Sequence, residues 1–404
     1  MMKALLILLV ALPWTLFATP KNIIVMIPDG TGHASLTAAR QLKGAPLALD
    51  GCIYGLVETR SADNSVTDSA AAATAMACGK RTYNGAVGVD INRVPLRSLA
   101  EWAHEKGKAV GIVTTDAITG ATPGGFSVHV PSRRNAADIL EQQIASGFEL
   151  FLGGGAKTLN DEHKTFMQQQ GYTLVTTADA LKHARGKLFG LFAPGIMTAE
   201  VARKGTPNTN EPHLEEMAEK ALDLLKDDPD GFFLMIEGAQ VDKGNHDNDL
   251  PWATYELLAF DATVARVLAW ASKHPDTLVL IVPDHETGGL TLLNEPHEGA
   301  RAKALRAASG KGVGKPGDYF VHYSTTWHTG VDVFLAGNTP DCRPTRNCDI
   351  PYSIIGETTE PFQEIQGKTL QEGAVYYLET ADGQRLRANR DAIYIQPTGK
   401  WYRR

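Results

Sequence analysis

Short runs of continuous apolar residues alternate along most of this chain with stretches whose apolar positions recur at helical spacing. The short runs, each bounded by Gly, Pro or polar turn residues, read as buried strands over 22–27, 56–59, 109–114, 148–152, 232–236, 278–282 and 331–335. Helical spacing covers 98–106 (stopped by Gly107), 136–144, 214–226 and about 254–273. In the last, Leu257, Phe260, Val264, Val267 and Leu268 share one face. Strands alternating with helices predict an α/β fold with a largely parallel central sheet and helices on both faces. Ligand sites in such sheets gather beyond the carboxyl ends of the strands. Asp29, Thr122, Glu237 and Asp284 each follow an expected strand end.

The alanine run from Ala70 to Cys78 breaks this texture. Alanine is the best helix former, and Gly79 suits the left-handed position that closes a helix. Thr67, Asp68 and Ser69 stand where an N-cap belongs. One reading is structural, a polar residue closing the first turn of a buried helix. The other places Ser69 at the positive end of the helix dipole, where an anion is welcome and an activated hydroxyl could attack it. Local sequence leaves both open.

Length, charge and cysteines narrow the setting. At 404 residues the chain exceeds the usual size of a single core, so one large domain with additions, or two domains, is expected. Its net charge of −7, with no offsetting Lys/Arg block, speaks against a nucleic-acid-binding surface. Lys3, the apolar stretch 4–12 and the small residue in Leu16-Phe17-Ala18 read as a cleavable signal peptide over 1–18. Pro13 interrupts a run already short for a membrane span, and no other stretch is long and apolar enough. An exported protein, periplasmic or secreted and not membrane-bound after cleavage, is expected. Export permits disulfides. Cys342 and Cys348 bracket a polar loop that looks stapled, whereas Cys52 and Cys78 either pair or remain buried thiols. The texture changes near 361, where short strands around 375–378, 385–386 and 392–395 suggest a β-rich extension over 361–404.

Asp242 and His246 are four residues apart, which on a helical turn puts a carboxylate and an imidazole on one face. Asp284 and His285 form an adjacent donor pair at a strand end, and His328 stands in a Gly/Thr loop. Carboxylate and imidazole donors without cysteine suit zinc, and the oxygen donors Asp29, Thr122 and Glu237 suit magnesium. Two metals about 4 Å apart can hold the attacking and leaving oxygens of a phosphoryl displacement. Each group alone has an ordinary structural explanation.

Pro28-Asp29-Gly30, Thr67-Asp68-Ser69-Ala70-Ala71, Ala121-Thr122-Pro123, His129-Val130-Pro131-Ser132-Arg133, Glu237 through Lys243 with His246, Asp284-His285 and His328-Thr329-Gly330 together resemble the alkaline phosphatases, in that family's order. The resemblance covers residues 21 to about 356, within a catalytic domain expected over 19–360. It implies an exported phosphomonoesterase acting on small phosphate monoesters through a phosphoserine at alkaline pH, with two Zn2+ and one Mg2+. Ser69 would be the nucleophile. Asp242, His246 and His328 would hold one zinc, and Asp29, Asp284 and His285 the other. Asp29, Thr122 and Glu237 would hold magnesium. Arg133 would grip two phosphate oxygens, and Lys243 would meet phosphate directly or through water.

The chain departs from the family at Gly120, where many members place a carboxylate or histidine two residues before the magnesium threonine. It is also short between Gly289 and His328, which bears on the homodimer the resemblance implies. The alternatives are a phosphodiesterase, which Arg133 disfavours, and a sulfatase, which needs a C/S-x-P-x-R segment expected to be absent from this chain. A non-catalytic metal- or phosphate-binding protein ranks last, since every metal-donor position is filled.

Overall fold

The computed structural model describes residues 20–204, 210–293, 320–339, 344 and 346–355, with the backbone of four short strands beyond residue 362. The signal-peptide reading of 1–18 lies outside these residues.

A nine-stranded sheet forms the centre of the molecule. Its strands are β1 (Asn22–Pro28), β2 (Ile53–Val57), β3 (Ala109–Ala117), β4 (Leu150–Gly154), β5 (Thr173–Val175), β6 (Leu188–Leu191), β7 (Phe232–Gly238), β8 (Thr277–Ile281) and a last strand, Val333–Gly337. Across the sheet the order is β2, last strand, β8, β1, β7, β3, β4, β6, β5. The last strand is antiparallel to β2 and β8, and all other pairs are parallel. A parallel sheet needs cover on both faces, and β1 shows it residue by residue. Ile23, Val25 and Ile27 enter one core with Ala73, Met76, Trp102 and Phe126. Ile24 and Met26 enter the other with Met217, Leu257, Phe260 and Val264. The expected α/β sheet with helices on both faces is therefore the fold observed.

Element boundaries differ where capping, not hydrophobicity, sets them. The long helix is Leu250–Ala271 and starts earlier than its apolar stripe suggests, because Asp249 accepts the Trp252 N–H and Pro251 sits in the first turn. The helix Leu99–Glu105 is fixed by reciprocal bonds between Ser98 and Glu101. Strands β5 and β6, at 3 and 4 residues, are too short to show a period and were not expected from sequence.

Cys78 packs in one core and its thiol donates to the Leu96 carbonyl, while Cys52 lies against the other. These two thiols are not bridged, and no disulfide occurs among the described residues. Cys342, and with it the stapled-loop reading, lies outside them. Among the described residues no helix is long and apolar enough to cross a membrane. In the C-terminal part, Gln363–Glu364, Lys400–Arg403, Tyr376–Glu379 and Arg385–Ala388 form an antiparallel sheet in that order. The strand expected at 392–395 lies outside the described residues.

Candidate active site

The alanine run forms the helix Ser69–Cys78, every residue of which is buried. A ten-residue helix of small side chains can sit this deep without voids only against close neighbours. Gly125 provides one, since a Cβ there would stand 2.7 Å from that of Ala73. Gly79 closes the helix in the left-handed conformation, φ 75°, donating to the Ala75 carbonyl. Of the three candidate caps, Asp68 is the one used: its Oδ1 accepts the Ala71 N–H at 3.0 Å. Ser69 is thereby the first helical residue, with its hydroxyl at the dipole's positive end.

Four neighbouring strands of the sheet, β8, β1, β7 and β3, end on the same side and deliver the remaining groups. Asp29 follows β1, Glu237 lies near the end of β7, and Asp284 and His285 follow β8. Asp242 and His246 share one short helix, Gln240–His246, so the four-residue spacing does place them together. Gly30, at φ +72°, lets the Asp29 loop approach that helix, since a Cβ there would stand 2.6 Å from the Asp242 Cα. His328 is not in a loop as expected. It forms a two-residue strand, His328–Thr329, paired antiparallel with Glu286–Thr287, and this pairing carries it beside His285.

Three imidazoles are held in one tautomer by the same device. Nδ1 of His246 donates to the Thr326 carbonyl at 2.6 Å, and Nδ1 of His328 to the Thr67 carbonyl at 2.9 Å. Thr287 donates its hydroxyl to Asp242 Oδ1 at 2.6 Å, so its oxygen is left to accept from His285 Nδ1 at 3.2 Å. All three Nε2 lone pairs then face the cleft. Nε2 of His246 lies 3.1 Å from that of His328 and 3.3 Å from Asp242 Oδ1, and the His328 to Asp242 distance is 3.6 Å. Nε2 of His285 lies 3.1 Å from Asp284 Oδ2, 3.8 Å from Asp29 Oδ1 and 3.2 Å from the Ser69 hydroxyl. His285 thus stands between both clusters and next to the candidate nucleophile.

Converging lone pairs repel one another unless a cation lies among them, and the burial makes this acute. Asp29, Asp284 and His285 are at most 2% exposed, and Asp29 Oδ1 and Asp284 Oδ2 have no hydrogen-bond partner. Burial, reinforced by Asp284, raises the Asp29 carboxyl well above the usual range. Burial and then Asp242 push Asp284 up to about 6. Burial lowers His285 to about 4, and burial with His285 nearby lowers His328 to about 4, so both rings are neutral and offer a lone pair. Asp242 is also buried, yet Lys243 and His246 hold its carboxyl well below the usual range. Four-coordinate zinc fits such carboxylate and imidazole sets.

A second kind of donor set adjoins these. Glu237 accepts from the Thr114 hydroxyl across the β3–β7 pair, and burial, then Asp116, raise its carboxyl to about 7. Thr122 lies not at the strand end but in the short helix Ala121–Ser127, and its buried hydroxyl is without a hydrogen-bond partner. Oxygen donors alone suit a hard cation such as magnesium.

Arg133 and Lys243 line the same cleft. Arg133 donates to Asp68 Oδ2 at 3.0 Å and Lys243 to Asp242 Oδ2 at 2.9 Å. Burial disfavours the Lys243 ammonium, but Asp242, Asp29 and Asp116 outweigh it and hold its pKa above the ordinary lysine value. All the sequence-selected residues therefore converge. Sequence reasoning missed Thr287, Asp116 and the second role of Asp68, whose partners are remote in sequence. It also overlooked one C-x-P-x-R string, Cys342 to Arg346. Arg346 of that string pairs with Asp349, and the helix N-terminus that faces the donors belongs to Ser69.

A mostly parallel α/β sheet whose strand ends gather a helix-borne serine, neutral imidazoles, buried carboxylates and a guanidinium has the groups from which metal-assisted hydrolysis can be built. Comparison with known proteins narrows this. The alkaline phosphatase family model matches residues 20–313. Alkaline phosphatase 3 of Bacillus subtilis is 37% identical over 291 residues, 67% of this chain and 62% of that protein, so the match spans under two thirds of the relative. The crystal structure of Thermus thermophilus alkaline phosphatase superposes with a TM-score of 0.75 at 26% identity, covering 84% of this chain and 92% of that one. A mutant of TAB5 alkaline phosphatase with Mg bound in its M3 site gives a TM-score of 0.72 at 28% identity, over 84% of this chain and 98% of that one. The chain belongs to the alkaline phosphatase family.

Proposed function

We propose that this chain is an exported phosphomonoesterase that hydrolyses small phosphate monoesters through a phosphoserine at Ser69, working at alkaline pH. The observation that carries the reading is the Ser69 hydroxyl, 3.2 Å from His285 Nε2, at a helix N-terminus between two buried donor clusters. Asp242, His246 and His328 would hold one zinc, Asp29, Asp284 and His285 a second, and Asp29, Thr122 and Glu237 a magnesium. The chemistry supplied by the bound cations is Lewis acidity, lowering the serine pKa and neutralising charge on the leaving oxygen.

The chain's own residues do the rest. The helix N-terminus directs backbone N–H groups at an anion next to Ser69. Arg133, aimed by Asp68, offers two N–H groups to non-bridging oxygens, a grip that requires a monoester's free oxygens. Lys243, paired with Asp242, adds positive charge beside the first zinc set. The serine oxygen attacks phosphorus, the ester oxygen leaves, and water then cleaves the phosphoserine to release inorganic phosphate.

The test is hydrolysis of p-nitrophenyl phosphate at about pH 9 beside bis-p-nitrophenyl phosphate, with Ser69→Ala and chelated samples. Monoester turnover lost on either treatment and restored by zinc supports the proposal, whereas diester preference overturns it. Export is read by the N-terminal sequence of the protein recovered outside the cytoplasm, and the homodimer implied by family membership by its mass in solution.

A further inference from the structure

Gly120 precedes the short helix carrying Thr122 and occupies its N-cap position, where Ser, Asp or Asn would stabilise the first turn. Its backbone, φ −62° and ψ 169°, is open to any residue, so conformation does not require glycine. Space does. A Cβ there would stand 2.8 Å from Asp116 Oδ2 and 2.9 Å from the Ala117 carbonyl. The room left by the missing side chain is filled by the Asp116 carboxylate.

That carboxylate is fixed and directed. Its Oδ1 accepts the Ala117 N–H at 2.7 Å at the end of β3, leaving Oδ2 on the Gly120 side. Its charge acts on Glu237, Lys243 and Arg133, which places it among the groups lining the cleft. Beside it lies the buried, unpartnered Thr122 hydroxyl, 1% exposed as a residue, next to Glu237. Buried oxygen donors with a free lone pair and a second carboxylate at their edge form the cradle of a hard, hydrated cation, which keeps several waters that need acceptors.

We propose that Asp116 is the outer acceptor of the Glu237–Thr122 oxygen site, orienting the waters of a magnesium ion from the space that Gly120 vacates. This rests on the reading of Glu237 and Thr122 as cation ligands. Asp116 is a positioning residue: it touches the ion's waters, not the ester. Its Oδ2 stands where the Cβ of a side chain at 120 would collide with it.

The test is calorimetric titration of the zinc-loaded protein with magnesium, together with elemental analysis after dialysis. Asp116→Ala is expected to weaken magnesium binding about 10- to 100-fold with zinc content unchanged. Asp116→Asn, which preserves the shape and the Ala117 bond, should weaken it too. Gly120→Asp alone should also lose magnesium, by collision with Asp116. Wild-type affinity in both Asp116 variants overturns the proposal. If the unaltered protein takes up no magnesium at all, the cation reading of Glu237 and Thr122 fails with it.

Discussion

Asp68 joins the serine helix to Arg133. Its Oδ2 accepts the Arg133 guanidinium at 3.0 Å while its Oδ1 caps the helix through Ala71 N–H and also takes the Gly85 N–H. Burial disfavours the carboxylate, yet Arg133 and these N–H donors keep it ionised at unusually low pH. The proposed nucleophile and the proposed phosphate grip are therefore set by one side chain. Asp68→Asn should keep the cap but loosen Arg133, raising KM for a monoester more than it lowers kcat. Asp68→Ala should lose both functions and about 1 kcal/mol of stability. Steady-state kinetics and thermal melts of the two variants separate these effects.

Ser69→Ala removes the proposed nucleophile while leaving a good helix former in place. Turnover should fall by roughly 10³-fold or more, with the fold and zinc content intact. Incorporation of labelled phosphate into the acid-quenched protein should vanish. Label retained in the alanine variant would place the covalent step on another residue.

On the proposed reading, metal removal should act on stability as well as activity. The unpartnered oxygens of Asp29 and Asp284 and the facing lone pairs of His246 and His328 repel one another without a cation between them. Chelation should lower the melting temperature, and added zinc should restore it in proportion to its binding to the folded state. An unchanged melt after verified metal removal would show that these groups tolerate each other unaided.

Thr287 is a hinge between two ligand sets, donating to Asp242 and accepting from His285. Thr287→Val keeps the volume but leaves the His285 Nδ1–H and one Asp242 lone pair without a partner. Zinc affinity should drop about 10- to 100-fold, read by competition with a chromogenic chelator.

Glu256 lies in the core, away from the cleft, where it accepts the Glu200 N–H. Burial raises its carboxyl from the ordinary 4.5 to about 8. Between those values the folded protein keeps a proton that the unfolded chain has lost, so stability declines as pH rises through this window and levels off above it. In the metal-loaded protein, Glu256→Gln should flatten the fall in melting temperature between pH 5 and 8. A parallel fall in both proteins would assign the slope to other groups.

How much of this was readable in the sequence depends on distance along the chain. Asp242 with His246 and Asp284 with His285 are local patterns, and periodicity exposed the central strands β1, β7 and β8 directly. The groups that tune them are not local. Arg133 meets Asp68 across 65 positions, Thr287 meets Asp242 across 45, and Glu237 meets Thr114 across 123. No window of sequence contains such pairs. Gly120 looked like a deficit for the same reason, because the carboxylate in its space belongs to the end of β3.

The bond from His328 to the Thr67 carbonyl spans 261 positions and joins the two ends of the site. During synthesis on the ribosome, the serine helix emerges long before the histidine that completes its surroundings. A nascent or truncated chain ending short of residue 328 carries the proposed nucleophile without its full donor set. On the proposed reading, the set of Asp242, His246 and His328 is therefore completed only when residue 328 has been made, long after the serine helix.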